Sequence, residues 1–344
     1  MKFKSLLKKC ETLLSIIITI SLIKKENESG IFKLNLKPNS KKIGVGVIVR
    51  FMNRGGGVER VAGKLCEELS KTGLYNVYLL TGPIQPDEYE INYKVIERRV
   101  IFRNNKSMIY PDVERSLYGI NILINNIMNV KDNLYLSKFK KPIIYFFHGP
   151  YFYMYVYNPK FDFLGYLQCV KDTGVLVNLN PDENHIYNEK GITKIMSIPN
   201  LITFDFDKIV PSKLNSKIII MNASGERKNP KIMLYAMKFI IREIPEAKLL
   251  LYGVNKNDKN EIIKLAESLK ILENIEIQGR VKTKNIYENA TIYIMASYME
   301  AYPLAVNEAK SFGIPVVVSG CEELWNTKFG TIRVKMDDAT SGYI

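Results

Sequence analysis

Twice along this chain, short runs of aliphatic and β-branched residues alternate with stretches whose apolar residues recur at helical spacing. That rhythm leaves few architectures open, because period-2 and period-3.6 patterns bury different faces. The first series opens at Ile43-Gly-Val-Gly-Val-Ile-Val49, apolar enough to be covered on both sides, and an amphipathic helix follows from Val58 to Ser70. Further strands are expected at Val77-Tyr-Leu-Leu80, near Tyr93 to Ile96, and at Asn121-Ile-Leu-Ile124, Ile143-Ile-Tyr-Phe-Phe147, Val175 to Val177 and Lys194 to Ile198, with a helical stretch near 161–172. From Pro199 to Asn215 the chain holds Pro, Asn and Asp without helical period, which reads as a linker. The rhythm restarts at Lys217-Ile-Ile-Ile-Met221. It continues with a helix near 230–243, a strand at 247–252, a helix at 258–271, a strand at 274–278 and a short helix near 284–289. Such alternation predicts an α/β protein with two parallel, doubly wound sheets facing a cleft. The expected limits are an extension at 1–42, a first domain at 43–199, a linker at 200–216 and a second domain at 217–344.

Charge narrows the function classes. The formal net charge is +14, and residues 1–42 contribute ten Lys against three Glu, half of it. Within that segment the apolar run from Leu13 to Ile23 has Lys on both sides. Its length falls short of the roughly 20 residues a spanning helix needs. No small-residue cleavage site follows it, so a signal peptide is not indicated. An apolar core between cationic ends can lie on an anionic membrane surface, pack as a helix on the first domain, or belong to a poorly ordered extension. Basic residues are not interleaved with stacking aromatics, which argues against nucleic acid as a partner. The four Cys are scattered, which argues against a disulfide framework or zinc site, and with only two His the chain cannot form a poly-His metal site.

The most informative motif is Glu300-Ala-Tyr-Pro-Leu-Ala-Val-Asn-Glu308, between a strand at Ile292-Tyr-Ile-Met-Ala296 and a second one opened by Pro315. Glu300 falls on the turn at a strand's carboxyl end, where open parallel sheets bind ligands. With two helical turns between them, the carboxylates are expected roughly 12 Å apart, about the span from a sugar ring to a ribose. Backbone N–H groups at the start of that helix can hold a diphosphate. Arg227-Lys228 lies past another strand end and before Asn229-Pro230, placed to neutralise a phosphate leaving group. Gly55-Gly-Gly57 opens the first helix and lets backbone approach a phosphate or sugar. It is neither a dinucleotide fingerprint nor a P-loop. His148 ends a strand and precedes Gly149-Pro150; a near-neutral pKa would suit it to orient or deprotonate a hydroxyl. Tyr151-Phe-Tyr-Met-Tyr-Val-Tyr157 offers aromatics to a sugar, a lipid or a packed face. Asp205-Phe-Asp207 has the form of a metal-binding D-x-D but falls in the linker, so no metal is expected there.

Taken together, the E-x7-E motif with Gly313-Ile-Pro-Val-Val317, the loop Asn222-Ala-Ser-Gly-Glu-Arg-Lys-Asn229, the turn Arg54-Gly-Gly-Gly-Val-Glu-Arg60 and the junction Ile198-Pro-Asn200 resemble, in their order, the GT4 family of retaining glycosyltransferases. The resemblance covers roughly residues 43–335. It implies the GT-B fold, with a Rossmann-like acceptor-side domain first and a Rossmann-like nucleotide-sugar domain second. It implies that Glu300 and His148 serve catalysis. Gly225, Arg227, Lys228, Val281, Tyr302, Pro303, Leu304 and Glu308 would bind the donor, with Glu308 on the ribose, and Gly55, Gly56 and Gly57 would form a phosphate or acceptor loop. Departure of the diphosphate and same-face attack would be coupled, with the leaving phosphate helping to take the proton.

The activity implied is transfer of a sugar from a nucleotide-diphosphate sugar to a lipid-linked or saccharide acceptor, in cell-surface polysaccharide or glycolipid synthesis. It would occur in the cytoplasm or at the cytoplasmic face of the membrane, without cofactor or metal. Family members usually continue beyond the equivalent of Gly330 to Val334 with helices that complete the second domain, so the resemblance implies an incomplete C-terminal part. A binding subunit with impaired catalysis at the membrane surface is the alternative this raises. A phosphorylase-like enzyme is disfavoured, because no lysine-centred pyridoxal site is recognisable.

Overall fold

The computed structural model describes residues 42–52, 57–84, 95–103, 109, 113–149, 161–200, 212, 214–279, 286–300 and 302–319, and the backbone of 331–334. Two compact units meet in sequence between Thr203 and Phe204, each built on one sheet. All but the last residue of the expected extension at 1–42 and most of the linker at 200–216 lie outside the described residues.

In the first unit the strands are β1 (Ile43–Ile48), β2 (Tyr75–Thr81), β3 (Glu97–Val100), β4 (Ile122–Asn125), β5 (Ile143–Phe146), β6 (Gly174–Asn178) and β7 (Ile195–Ser197). They pair in parallel in the order β3-β2-β1-β4-β5-β6-β7. Helices α1 (Gly57–Lys71), α2 (Val130–Ser137), α3 (Phe163–Thr173) and α4 (Asn184–Glu189) complete it. The interior strand β1 buries Val45, Val47 and Ile48 completely, as a strand covered on both faces must. Its Gly44 is needed for close approach: a Cβ there would fall 1.8 Å from the Gly119 carbonyl oxygen. Aromatic side chains fill one face of this sheet, with Phe147 and Tyr166 5.8 Å apart between ring centres and Phe163 packed beside them.

In the second unit β8 (Ile218–Asn222), β9 (Lys248–Tyr252), β10 (Ile275–Gln278), β11 (Ile292–Met295), β12 (Val316–Ser319) and β13 (Thr331–Val334) pair in parallel in the order β10-β9-β8-β11-β12-β13. Their helices are α5 (Pro230–Glu243), α6 (Lys256–Ser268) and α7 (Leu304–Ser311). Both faces of the sheet are covered. Ile219 and Met221 of β8 join the cluster containing Leu234, Leu249 and Leu251. The intervening Ile220 joins the opposite cluster with Tyr293, Val306 and Phe312. This period-2 division makes the sheet doubly wound, as the alternation predicted.

The strand expected near Tyr93 to Ile96 is instead found at Glu97–Val100, with Ile96 buried just before it. Helix α2 went unread because its inward face is polar: it buries Asp132 and Asn133 beside Leu136. In each sheet the winding reverses once, between β1 and β4 in the first and between β8 and β11 in the second. Crevices form outside the carboxyl ends of strands at such reversals.

Candidate active site

At the reversal in the second sheet, Ile219 of β8 lies opposite Ile292 of β11, so the two strands deliver their exit loops side by side. The β8 loop turns at Gly225, whose φ of +92° belongs to the region that favours glycine. A short 3-10 turn, Glu226–Lys228, then leads through Asn229 to Pro230 at the start of α5. The β11 loop docks on this turn through the Tyr298 N–H, which donates to the Arg227 carbonyl at 3.1 Å.

That docking brings together three residues singled out in the sequence. Glu300 Oε1 pairs with Lys228 Nζ, and with Arg227 Nη1 at 2.7 Å. Arg227 also donates to the Met299 carbonyl, so its guanidinium is fixed at both ends of the loop. Glu300 is 8% exposed and Lys228 9%, whereas the Arg227 side chain is 43% exposed. Burial pushes the Glu300 carboxyl up, but the charges of Lys228 and Arg227, with the hydrogen bond from Lys228, outweigh it and hold the group below the ordinary carboxylate range. Glu300 is therefore ionised at neutral pH. A buried carboxylate survives unprotonated only with this kind of pairing.

Glu308 lies on α7 and is 2% exposed. The Tyr287 hydroxyl donates to its Oε2 at 3.0 Å, and the Tyr287 ring packs 5.2 Å from Phe312. Tyr287 was missed in the sequence, where nothing marked it apart from other aromatics. Because α7 starts only at Leu304, after Pro303 in extended conformation, two helical turns do not separate the carboxylates. Helix supplies four of the eight steps, about 6 Å of axial rise, and a non-helical turn supplies the rest. No side chain caps the first turn of α7, whose leading N–H groups have no intrahelical acceptor. Tyr302 and Leu304 are half-buried and Pro303 is buried at this helix start. Val281 lies outside the described residues.

In the first unit, Gly57 is the exposed first residue of α1, while Gly55 and Gly56 lie outside the described residues. His148 follows β5, half-buried, with its ring stacked on Phe146 at 4.9 Å. Its Nε2 lies 2.8 Å from Asn126 Oδ1. Burial pushes the imidazole down to about 4, and Asn200 set against the ring pulls it only part of the way back. The near-neutral pKa expected from the sequence is not found: desolvation wins, and His148 is uncharged at pH 7. Asn126 follows β4, the strand next to both β1 and β5, and carried no sequence signal of its own. Past the end of β1, Arg50 pairs with the fully buried Asp132 at 2.6 Å. His185 is exposed and contacts the Asp182 carbonyl through Nδ1 at 2.8 Å, a turn contact.

Among the described residues no group of three or more His, Cys, Asp or Glu side chains is arranged to hold a metal ion. Asp205-Phe-Asp207 and the aromatic run Tyr151–Tyr157 lie outside them. No helix among the described residues is long and apolar enough to cross a membrane. Cys66 and Cys169 are buried free thiols, and burial pushes both up, which makes them unreactive packing residues.

Residues 203–324, which carry Arg227, Lys228, Glu300 and Glu308, match the family model described as glycosyl transferases group 1. An uncharacterized glycosyltransferase of Haemophilus influenzae is 24% identical over 293 residues, covering 80% of each chain. Sucrose-phosphate synthase from Thermosynechococcus elongatus has a similar fold, with a TM-score of 0.67 at 15% identity over 86% of each chain. So does a pneumococcal O-GlcNAc transferase solved with UDP and GlcNAc, with a TM-score of 0.61 at 10% identity over 82% of this chain and 84% of that one.

Proposed function

We propose, on the premise that this chain is a glycosyltransferase of group 1, the GT4 family, with the GT-B fold, that it moves a sugar from a nucleotide diphosphate to a saccharide or lipid-linked acceptor with retention. One observation carries the reading: Lys228 and Arg227 converge on Glu300 at the reversal point of the second sheet. In this reading the two cations and the open first turn of α7 bind the diphosphate, whose negative charge grows as the glycosyl bond breaks. With positive charge supplied by side chains and backbone, the reading invokes no metal and no cofactor.

Glu300 then faces the transferred sugar, where a fixed negative charge stabilises the cationic character developing at the anomeric carbon. Glu308 takes the ribose hydroxyls, oriented by the Tyr287 hydroxyl. Gly225, Val281 and the segment Tyr302 to Leu304 line the donor. The acceptor hydroxyl bonds to the anomeric carbon on the face the diphosphate leaves, and its proton passes to a leaving phosphate oxygen. A neutral His148 suits this division of labour, since it orients the hydroxyl by hydrogen bonding without having to hold the proton. Cell-surface polysaccharide or glycolipid synthesis fits an acceptor held near an anionic membrane by residues 1–42.

The test is a screen of nucleoside diphosphates and their sugars for thermal stabilisation, followed by donor hydrolysis and transfer monitored by mass spectrometry. One base and one sugar are expected to stand out in both assays. Failure of every nucleotide to stabilise the chain, together with no donor hydrolysis, would remove this reading.

A further inference from the structure

Only one imidazole of this chain, His148, sits at a strand end in the first unit, and two amides meet it there, Asn126 and Asn200. The two amides differ in how they are anchored. Asn126 donates from Nδ2 to the Ile48 carbonyl at 2.9 Å, and its backbone N–H donates to the same oxygen at 3.1 Å. A carbonyl oxygen can only accept, so the Asn126 amide cannot be turned over without placing oxygen against oxygen. Its Oδ1 therefore faces His148 Nε2, at 2.8 Å, and an amide oxygen in that place can only accept. No comparable bond fixes Asn200, whose Oδ1 has no hydrogen-bond partner of good geometry among the described residues.

We infer that Asn126 is a positioning residue: held by the Ile48 carbonyl, it keeps His148 in the Nε2–H tautomer and leaves Nδ1 as the nitrogen that accepts a hydrogen bond from the bound acceptor, the reacting hydroxyl keeping its own proton for the phosphate. The inference rests on the acceptor-side role proposed for His148. It adds the identity of the working nitrogen and the group that selects it. The burial that keeps the ring uncharged leaves one ring proton to place, and the Ile48–Asn126 chain places it. The chain of contacts follows from the topology. Ile48 ends β1, Asn126 follows β4 and His148 follows β5, three adjacent strands of the first sheet, so all three groups emerge on one edge.

The chain has two His residues, which makes nitrogen-15 spectra of the imidazoles readable, with His148→Gln assigning the signals. In the full-length protein at pH 7, His148 is expected to show a protonated Nε2 and a bare Nδ1. Asn126→Ala is expected to lose that preference and to lower kcat roughly ten- to hundredfold, with KM for the donor unchanged. Asn126→Asp keeps an acceptor at Nε2 but sets a carboxylate oxygen against the Ile48 carbonyl, so it is expected to keep the tautomer with a lowered Tm, while raising the pH at which the ring titrates. Asn200→Ala is expected to leave the tautomer as it is. A bare Nε2 in the parent protein would overturn the inference, as would an Asn126→Ala variant with parental tautomer and kcat. If Asn126→Ala unfolds, Asn126→Asp and Asn200→Ala still decide it, since loss of the tautomer in Asn200→Ala alone would assign the role to the other amide. A fully active His148→Ala, with the parental spectrum as expected, would instead overturn the acceptor-side role and leave the tautomer assignment standing.

Discussion

Glu300→Gln keeps the shape of the side chain and removes its charge, which separates catalysis from architecture. In the resting structure this carboxylate is the shared partner of Lys228 and Arg227. Removing one member of a buried ion pair costs about 3–5 kcal/mol. Arg227 is 43% exposed and can turn towards water, so the cost falls mainly on Lys228, and a loss of about 2–3 kcal/mol is expected. At about 2–4 °C per kcal/mol for a domain of this size, Tm should fall by roughly 5–10 °C. A nucleoside diphosphate brings its own negative charge to the two cations. The variant should therefore bind it at least as well as the parent and gain more Tm from it. Turnover should nevertheless drop about a hundredfold, or about 2.7 kcal/mol, since the lost interaction strengthens only as the bond breaks. The pH dependence gives a further sign. A depressed carboxyl contributes stability above its unfolded pKa, here near 4.5, and that stability is lost as pH falls through the lower folded value. The variant should lack this loss below pH 4.5. Thermal unfolding with and without nucleoside diphosphate, alongside single-turnover transfer, measures all of this. Parental turnover, or a fall in Tm that the nucleotide fails to repair, would refute the reasoning.

Lys228→Ala should weaken nucleoside-diphosphate binding by about 1.5–3 kcal/mol, the worth of a charge-assisted hydrogen bond, and Arg227→Ala by less because that side chain is better solvated. Unchanged calorimetric affinity in both would sink the diphosphate assignment. His148 has a depressed pKa, so the parent should lose on the order of 2–3 kcal/mol of stability as pH falls from about 6.5 to about 4. His148→Gln should flatten that interval in denaturant titrations, and an unchanged slope would speak against the buried neutral ring. Residues 1–42 should carry the chain to anionic vesicles, so a chain starting at Lys41 should float less in a liposome gradient. Equal flotation of the two would end the idea.

Periodicity and spacing were enough to indicate two doubly wound parallel sheets and the candidate residues, because a period of 2 or 3.6 is written locally in the order of residues. Arg227, Lys228, Glu300 and Glu308 stood out for the same local reason, each lying past a strand or inside the helix that follows one, whereas Gly225 was indicated only by the family resemblance. Helix α2 escaped and β3 was displaced because their chemistry contradicts a hydrophobic pattern. Helix α2 buries Asp132 and Asn133, and β3 reads Glu-Arg-Arg-Val because an edge strand is covered on one side only and tolerates charge. What no local pattern contains is adjacency. Lys228 meets Glu300 across 72 positions only because β8 and β11 pair at the reversal, and Asn126 reaches His148 across 22 because β4 lies beside β5. Protonation was settled the same way. Desolvation and neighbouring charge depend on what surrounds a group in space, so the ionised Glu300 and the neutral His148 were decided by the tertiary structure alone.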